Sequence, residues 1–294
     1  MFHSASLLLM LAPLSSGYYG LTADYYSLTA DYCSLSPEHQ LCRPVVSSPV
    51  ECGPGGRLSS GVSQQMQEEI VRSHNMLRSV VARGQERRGL GGGQPAAGDM
   101  RELVWDTELA RVAQAHADKC QFDHDCRQCR AVPRWGVVGQ NLYIYRQTVR
   151  RPAVDWERAV TAWYDEVKIF RPRHVKPFRF SEATGHYSQM LWSTTTHVGC
   201  GVSVYRTGRW YNILYTCNYG PGGNYIGSQM YSAGPACSQC PPGTSCSPSY
   251  PGLCSESTSG LGITYNKPVL AQPNVTDQCD FETTCQLRCD SRNV

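Results

Sequence analysis

Apolar residues recur every three or four positions in three segments of the chain, and this spacing predicts three amphipathic helices. The first follows Ser63 and closes at Gly84, with an inward face made by Met66, Ile70, His74, Leu77 and Val81. The second follows an N-cap at Asp106, with an inward face made by Leu109, Val112, Ala113, His116 and Cys120. The third spans about Asp155 to Ile169 and turns inward Val160, Trp163 and Val167.

Two later segments change to residue types that favour strands. Val198 to Tyr205 and Trp210 to Asn218 are rich in Val, Ile, Tyr and Thr, and Thr207-Gly208 between them is typical of a turn. The pattern predicts an antiparallel hairpin. Cys200 and Cys217 fall on its opposite strands, where a cross-strand disulfide is geometrically reasonable.

Composition places the chain outside the cytosol. Its 294 residues, 41% of them apolar, suffice for one large domain with appendages. Fifteen cysteines without the paired CxxC repeats of zinc ribbons indicate an oxidised, exported protein. The apolar run Ser6 to Leu14, followed by small residues, predicts a signal peptide over 1–17. No later stretch has the roughly 18 apolar residues of a membrane helix, so we expect an extracellular protein without a transmembrane segment.

Further segments flank the predicted domain. Residues 18–57 carry the repeat LTADYYS/LTADYCS and predict an irregular arm held by disulfides. The globular domain is predicted over 58–231. Beyond it the composition shifts to Cys, Pro, Ser and Gly, which predicts a cysteine-rich hinge over 232–254 and a short tail over 255–294. Within the tail, Asn274 begins the N-glycosylation sequon Asn-Val-Thr.

The charge of the chain argues against nucleic acid as a partner. Its formal net charge is +3, which is too small for a nucleic-acid-binding surface. Arg171 to Arg179, RPRHVKPFR, is a local basic stretch. We interpret it as a solvated loop, with an anionic glycan or a lipid head group as the alternative partner.

Several ordered blocks together carry a family resemblance. They are HNMLR (74–78), LVWDTELARVAQ (103–114), VGQNLY (138–143), GHYSQMLWSTT (185–195) and LYTCNYGPGGNY (214–225). The chain resembles the CAP superfamily of cysteine-rich secretory proteins, antigen 5 and pathogenesis-related protein 1, and within it the arthropod venom allergens, from Tyr32 to Tyr231. The resemblance implies an α+β fold, a three-layer α-β-α sandwich, here with a small disulfide-rich C-terminal extension.

The same resemblance implies a disulfide pattern. It pairs Cys33 with Cys42 and Cys52 with Cys120. A further family cysteine is replaced by Pro37, and the additional Cys126 and Cys129 are expected to pair with each other. In the hinge, the first cysteine is implied to pair with the third and the second with the fourth, among Cys237, Cys240, Cys246 and Cys254. Cys279, Cys285 and Cys289 follow in the tail, so one of the fifteen cysteines is left without a partner in this chain.

A metal site is also implied. CAP proteins carry two His and two Glu in a cleft that can bind a divalent cation, and the matching positions here are His124, His186, Glu166 and Gln140. Gln140 stands where many relatives have Glu. Two imidazoles, one carboxylate and water form an open zinc site, whereas a neutral amide serves better as a hydrogen-bond partner. We therefore expect zinc, or a similar cation, to bind weakly.

The cleft residues also raise the possibility of catalysis. His186 or Glu166 would act as the base on a bound water in a hydrolase. The chain contains no GxSxG or HExxH motif, and Ser188 is not a convincing triad member. Without the family pattern, His124 and His186 would be interpreted as structural, and His74, Trp163, Trp192 and Tyr187 are interpreted as core residues.

Three functions follow in order of preference. The first is a secreted, allergen-like glycoprotein of venom, saliva or a secretory gland that binds a lipid, a sterol or a protein receptor through its cleft and surfaces. The second is a metal-dependent peptidase that uses the His and Glu residues of the cleft. The third is an ion-channel-directed toxin that acts through the hinge and tail. Binding ranks first because it requires only the scaffold, and we lean against an enzyme.

Overall fold

The computed structural model describes residues 32–42, 50–150 and 152–257. The predicted signal peptide, the tandem repeat up to residue 31 and the tail from residue 258, with Asn274 and the last three cysteines, lie outside the described residues. The strands are β1 (Arg57–Ser60), β2 (Val104–Trp105), β3 (Gly139–Gln147), β4 (His197–Thr207), β5 (Trp210–Gly220), β6 (Thr244–Cys246) and β7 (Cys254–Glu256). The α-helices are α1 (Gln64–Ala82), α2 (Thr107–Ala117), α3 (Trp156–Tyr164) and α4 (Gly185–Met190).

A sheet forms the middle layer. Its strand order is β1-β4-β5-β3, and β2 adds to β4 in parallel. The β4–β5 hairpin confirms the sequence prediction, with Cys200 opposite Cys217 in the register. Consecutive residues of β4 and β5 are buried, so both faces of the hairpin are covered. The fold is a three-layer α-β-α sandwich of the α+β class, as the family resemblance implies.

The helices begin where short polar side chains cap them. Ser63 accepts a hydrogen bond from the amide of Met66 ahead of α1, and Asp106 accepts one from Leu109 ahead of α2, which confirms the predicted N-cap. The helix α2 ends at Ala117, and Cys120 has a φ of 59°, a left-handed conformation that a continuing helix excludes. The prediction that Cys120 belongs to the inward helix face is therefore wrong.

The third predicted helix is shorter than expected. It begins after its cap, Asp155, but α3 ends at Tyr164 and the chain tightens into a 3₁₀ turn over Asp165–Lys168. The tightened turn still belongs to the predicted span, and it carries Glu166.

Glycines allow α2 to lie directly on the sheet. A Cβ atom at Gly199 would lie 2.2 Å from the backbone nitrogen of Ala110, and one at Gly201 would lie 2.3 Å from the Cα of Gln114. Any side chain at either position would push the helix away. Gln114 then completes the contact, because its side chain donates to the carbonyl of Val202 and accepts from its amide.

The hydrophobic core lies mainly on the other face of the sheet. It is built from α1, α3, α4 and the hairpin, and it buries the large side chains Trp156, Trp163, Tyr187, Trp192 and Tyr219. A smaller cluster beneath α2 contains Leu109, Val112, Val132 and Val138. Among the described residues, no helix combines the length and the apolar character that crossing a bilayer requires.

Six disulfides join cysteines within the described part of the chain. They are Cys33–Cys42, Cys52–Cys120, Cys126–Cys129, Cys200–Cys217, Cys237–Cys246 and Cys240–Cys254. The hinge packs on the sandwich, since the amide of Cys254 donates to the carbonyl of Met100 and the hydroxyl of Ser79 donates to the carbonyl of Pro251. The described residues up to Ser257 therefore form one compact unit.

Removing the Cys200–Cys217 disulfide is expected to destabilise the protein by about 3 kcal/mol, because the bond closes a loop with a sequence separation of 17. A variant with both cysteines replaced by Ser should melt about 10 °C below the parent. The matched control replaces Cys126 and Cys129, whose separation is 3, and should lose about half as much free energy. Calorimetric melting curves that coincide for the parent and the Cys200/Cys217 variant would contradict the expectation.

Candidate functional site

The first half of the site is a histidine held by a glutamate. His186 is the second residue of α4, and its Nδ1 donates to Oε1 of Glu166 at 2.6 Å. The other carboxylate oxygen of Glu166 accepts the backbone amide of Tyr187 at 2.9 Å. Glu166 thus fixes both the ring of His186 and the first turn of the helix that carries it. With Nδ1 donating, Nε2 of neutral His186 keeps its lone pair.

The second half pairs a loop histidine with a strand amide. Nδ1 of His124 donates to Oε1 of Gln140 at 2.8 Å, and Gln140 lies on β3. The amide nitrogen of Gln140 donates in turn to Oδ1 of Asn218 on β5 at 3.3 Å, which sets the orientation of the amide. The substitution of Gln for Glu therefore leaves a histidine with an acceptor for its Nδ1–H but no negative charge beside it.

The two halves face each other. The ring centroids of His124 and His186 are 6.5 Å apart, with 32° between the ring planes. Neither Nε2 forms a hydrogen bond with a side chain or backbone group of the described residues. The ligand atoms of His124, His186 and Glu166 do not all lie within 4.8 Å of one another, since the described residues form such groups only elsewhere.

Those other groups are made of cysteines in disulfides. One contains Cys237, Cys240 and Cys254, and the other contains Glu38, Cys126 and Cys129. Because each of these cysteines is cross-linked, none offers the thiolate that a metal requires. The two imidazoles of the cleft remain the better candidate donors for a cation.

A cleft of about 300 Å³ opens beside His124 and Gln140. Its apolar wall includes Val137, Phe180 and Ile226, and its polar wall includes Arg127, Arg130, Gln189 and Asn224. A volume of this size lies at the lower end of small-ligand sites, and a mixed lining is typical of them.

Ser188 takes no part in a nucleophilic arrangement. Its hydroxyl is buried and donates to Oδ1 of Asn224 at 2.7 Å. A serine nucleophile needs a base as its hydrogen-bond partner, and the amide oxygen of Asn224 is not one.

Sequence reasoning missed the amides that support the histidines. Asn141, next to Gln140 on β3, donates to the backbone carbonyl of His186 at 3.1 Å and to the hydroxyl of Tyr219 at 3.2 Å. Asn224 donates to the carbonyl of Gly185 at 2.9 Å. Both lie in motifs that the sequence shows, VGQNLY and GPGGNY, but only the fold reveals that they hold the start of α4.

Two further histidines, His74 and His116, are structural. His74 on α1 is fully buried, donates from Nδ1 to the carbonyl of Ile70 and accepts at Nε2 from the hydroxyl of Tyr219. Burial lowers its pKa to about 4. Burial also lowers the pKa of His116, against the opposing charge of Asp125. Both imidazoles therefore stay neutral at physiological pH.

Comparisons with known proteins agree with this architecture. The model of the cysteine-rich secretory protein family, CAP, matches residues 71–219. A "CRISP/Allergen/PR-1" protein of Trittame loki is 46% identical, over 67% of this chain and 50% of its own length. A cysteine-rich venom protein of Tityus serrulatus is 41% identical, over 86% of this chain and 59% of its own length. The chain thus spans between half and three fifths of these relatives.

A solved structure supports the fold independently. The crystal structure of NaASP2 with Zn²⁺ superposes with a TM-score of 0.55 and 31% identity, over 66% of this chain and 97% of that chain. The similarity covers almost the whole of the solved protein. The Zn²⁺ ion belongs to that protein.

Proposed function

The chain belongs to the CAP family of cysteine-rich secretory proteins, and from that membership we propose that it is an exported, venom-type protein that binds a lipid, sterol or protein partner through its cleft and surfaces. The venom allergens and venom proteins among its relatives support export. So do the disulfides, since such bonds persist in oxidising compartments.

The observation that carries binding is the state of the polar groups in and beside the cleft, of which His124 and Gln140 line it. Nδ1 of each histidine is committed to a fixed acceptor, and Glu166 already accepts two hydrogen bonds. Ser188 is turned away to Asn224. The site therefore holds a preformed concave surface with apolar and polar walls, which suits recognition of a ligand better than attack on one.

Lipid extraction and mass spectrometry of the native secreted protein test the proposal directly. We expect an organic ligand to co-purify in stoichiometric amount. Val137→Trp fills the cleft and should lower the recovered amount, whereas Val149→Trp, at an exposed position outside the cleft lining, should not. An empty native protein that also binds none of the lipids and sterols offered to it would contradict a lipid or sterol ligand.

A divalent cation fits the donor set, although weakly. The two Nε2 atoms of His124 and His186 would hold it, with Gln140 and Glu166 fixing the rings behind them, as outer partners of metal-bound histidines do. A bound cation would supply Lewis acidity and lower the pKa of a coordinated water. This arrangement is the observation that favours the second candidate function, a metal-dependent peptidase.

Zinc titration by calorimetry is expected to show weak binding that His124→Ala and His186→Ala abolish. Gln140→Glu places a carboxylate behind His124 and should strengthen binding by about tenfold or more. His174→Ala, outside the cleft, is the matched control and should keep the parental heat. If the parent gave no heat of binding, or if the four variants gave equal heats, the proposal of a cation site in the cleft would be wrong.

Peptide cleavage separates the two functions. The protein with stoichiometric zinc is expected to leave a peptide library intact. If it cleaves peptides and His186→Ala abolishes that cleavage, the peptidase replaces the binding protein as the function of this cleft.

A further inference from the structure

The basic stretch forms a surface beside the cleft. Arg173, Lys176 and Arg179 are exposed, and Arg171 adjoins them. Phe180 and Ile226 lie next to these cations, because the amide of Phe178 donates to the carbonyl of Ser228 and the amide of Gly227 donates to the carbonyl of Phe178. We name these six residues the rim surface: Arg171, Arg173, Lys176, Arg179, Phe180 and Ile226.

The cations of the rim surface are not paired with acidic side chains of the described residues. Within the described chain, none of the four forms an ion pair, whereas Arg88, Arg130 and Arg158 do. The pKa of His174 is consistent with a positive potential at this surface. This pKa is lowered first by burial and then by the charges of Arg173, Arg179 and Arg171, with no acidic group opposing them. The surface is therefore an uncompensated positive patch, which attracts anions.

The two apolar residues of the rim surface expose a large part of their side chains to solvent. The exposed fraction is 46% for Phe180 and 76% for Ile226, and the neighbouring Tyr225 is 44% exposed. In a solvated loop the exposed side chains are charged or polar. Here large apolar side chains are exposed next to unpaired cations. They form the combination by which interfacial segments enter a membrane surface.

We propose that the rim surface docks the protein onto a membrane that contains anionic lipids. Arg171, Arg173, Lys176 and Arg179 would contact the head groups, and Phe180 and Ile226 would enter the boundary between head groups and acyl chains. A sulfated glycan would satisfy the cations but gives the exposed Phe and Ile no partner. The exposed Phe180 and Ile226 therefore favour a lipid bilayer over a sulfated glycan as the partner.

Docking would also orient the cleft. Phe180 and Ile226 line the cleft as well as the rim surface, so its mouth would face the lipid. The inference goes beyond the proposed ligand binding and does not depend on it: a protein with an empty cleft would dock in the same way.

Vesicle co-sedimentation of the full chain tests the proposal. We expect binding to vesicles of phosphatidylcholine mixed with phosphatidylserine, weakening at high salt, and little binding to phosphatidylcholine alone. Replacing Arg173, Lys176 and Arg179 by Gln should reduce the partition coefficient about 100-fold, at roughly fivefold for each cation. The matched control replaces three exposed cations elsewhere, Arg72, Arg87 and Arg209, and should bind like the parent.

A second variant separates lipid from glycan. Replacing Phe180 and Ile226 by Ser should lower vesicle binding about tenfold while all charges remain. Because both positions are exposed, we expect the variant to have the melting curve of the parent, which would show that it is folded. Equal vesicle binding by the parent and the Gln variant would overturn the proposal. The proposal would also be overturned if the protein bound heparin and its vesicle binding did not change when Phe180 and Ile226 were replaced. That result would assign the cations to a sulfated glycan.

Discussion

Arg78→Met is expected to lower the free energy of unfolding by about 5 kcal/mol, because it leaves several buried carbonyls without donors at once. The guanidinium of Arg78 is fully buried and donates to the backbone carbonyls of Arg101, Met190, Trp192, Ser193 and Thr195. The carbonyls of Trp192 and Ser193 also accept backbone amides and keep those donors, whereas each buried acceptor that is left without a donor costs about 1–3 kcal/mol. Burial also lowers the pKa of Arg78, to about 9, which shows how far the group is withdrawn from water.

Those carbonyls belong to the last residue of α4, to the segment that follows it and to the chain before β2. Arg78 thus ties α1 to the end of α4, the helix that carries His186. Arg78→Lys keeps a charge but not the planar fork of donors, and it should recover only part of the lost stability. Denaturant unfolding of the three proteins measures the differences, and a Met variant within about 1 kcal/mol of the parent would refute this role.

Acidification is expected to destabilise the protein through its buried histidines, with His74 contributing about 3 kcal/mol. Burial holds its folded pKa at about 4, below the unfolded value of 6.5, so the unfolded chain takes up a proton first as the pH falls. The stabilisation is complete above about pH 6.5 and is lost as the pH falls toward 4. Burial lowers the pKa of His39, His116 and His197 in the same direction.

His74→Gln isolates this contribution. It removes the titrating ring, so its unfolding free energy should fall less steeply between pH 6.5 and pH 4 than that of the parent, whatever its stability at neutral pH. Tyr219→Phe removes the hydroxyl that donates to His74 but keeps the imidazole, and it should retain the parental slope. Equal slopes for the parent and His74→Gln in denaturant titrations would show that another group carries the acid sensitivity.

The elements that the sequence predicts correctly are those with strong local signals. The face of α1 and the cap of α2 are set by spacing and by one short polar side chain, both visible in the sequence. The hairpin follows from β-branched and aromatic residues around Thr207-Gly208. By contrast, β3 was not predicted as a strand, because its nine residues from Gly139 show no simple alternation and its pairing with β5 is a long-range contact.

The candidate site divides in the same way. Family motifs identify His124, His186, Glu166 and Gln140, but no local pattern shows which atoms face which. Glu166 holds the ring of His186 and the start of α4, and Gln140 donates a hydrogen bond to Asn218. Both contacts join residues that are far apart in the sequence. The rim surface is similar: its charges are visible in RPRHVKPFR, whereas the exposed Ile226 joins them only through the pairing around Phe178.

Local periodicity, caps, cysteine number and family motifs thus already predict an exported protein with an α+β sandwich and a histidine-bearing cleft, because each of these signals acts over a few residues or needs no geometry. The contact of α2 with Gly199 and Gly201, the carbonyls gathered by Arg78 and the orientation of the two cleft histidines arise only when distant segments pack. Such contacts depend on which backbone atoms approach which, and the linear order of residues does not encode that in any local pattern.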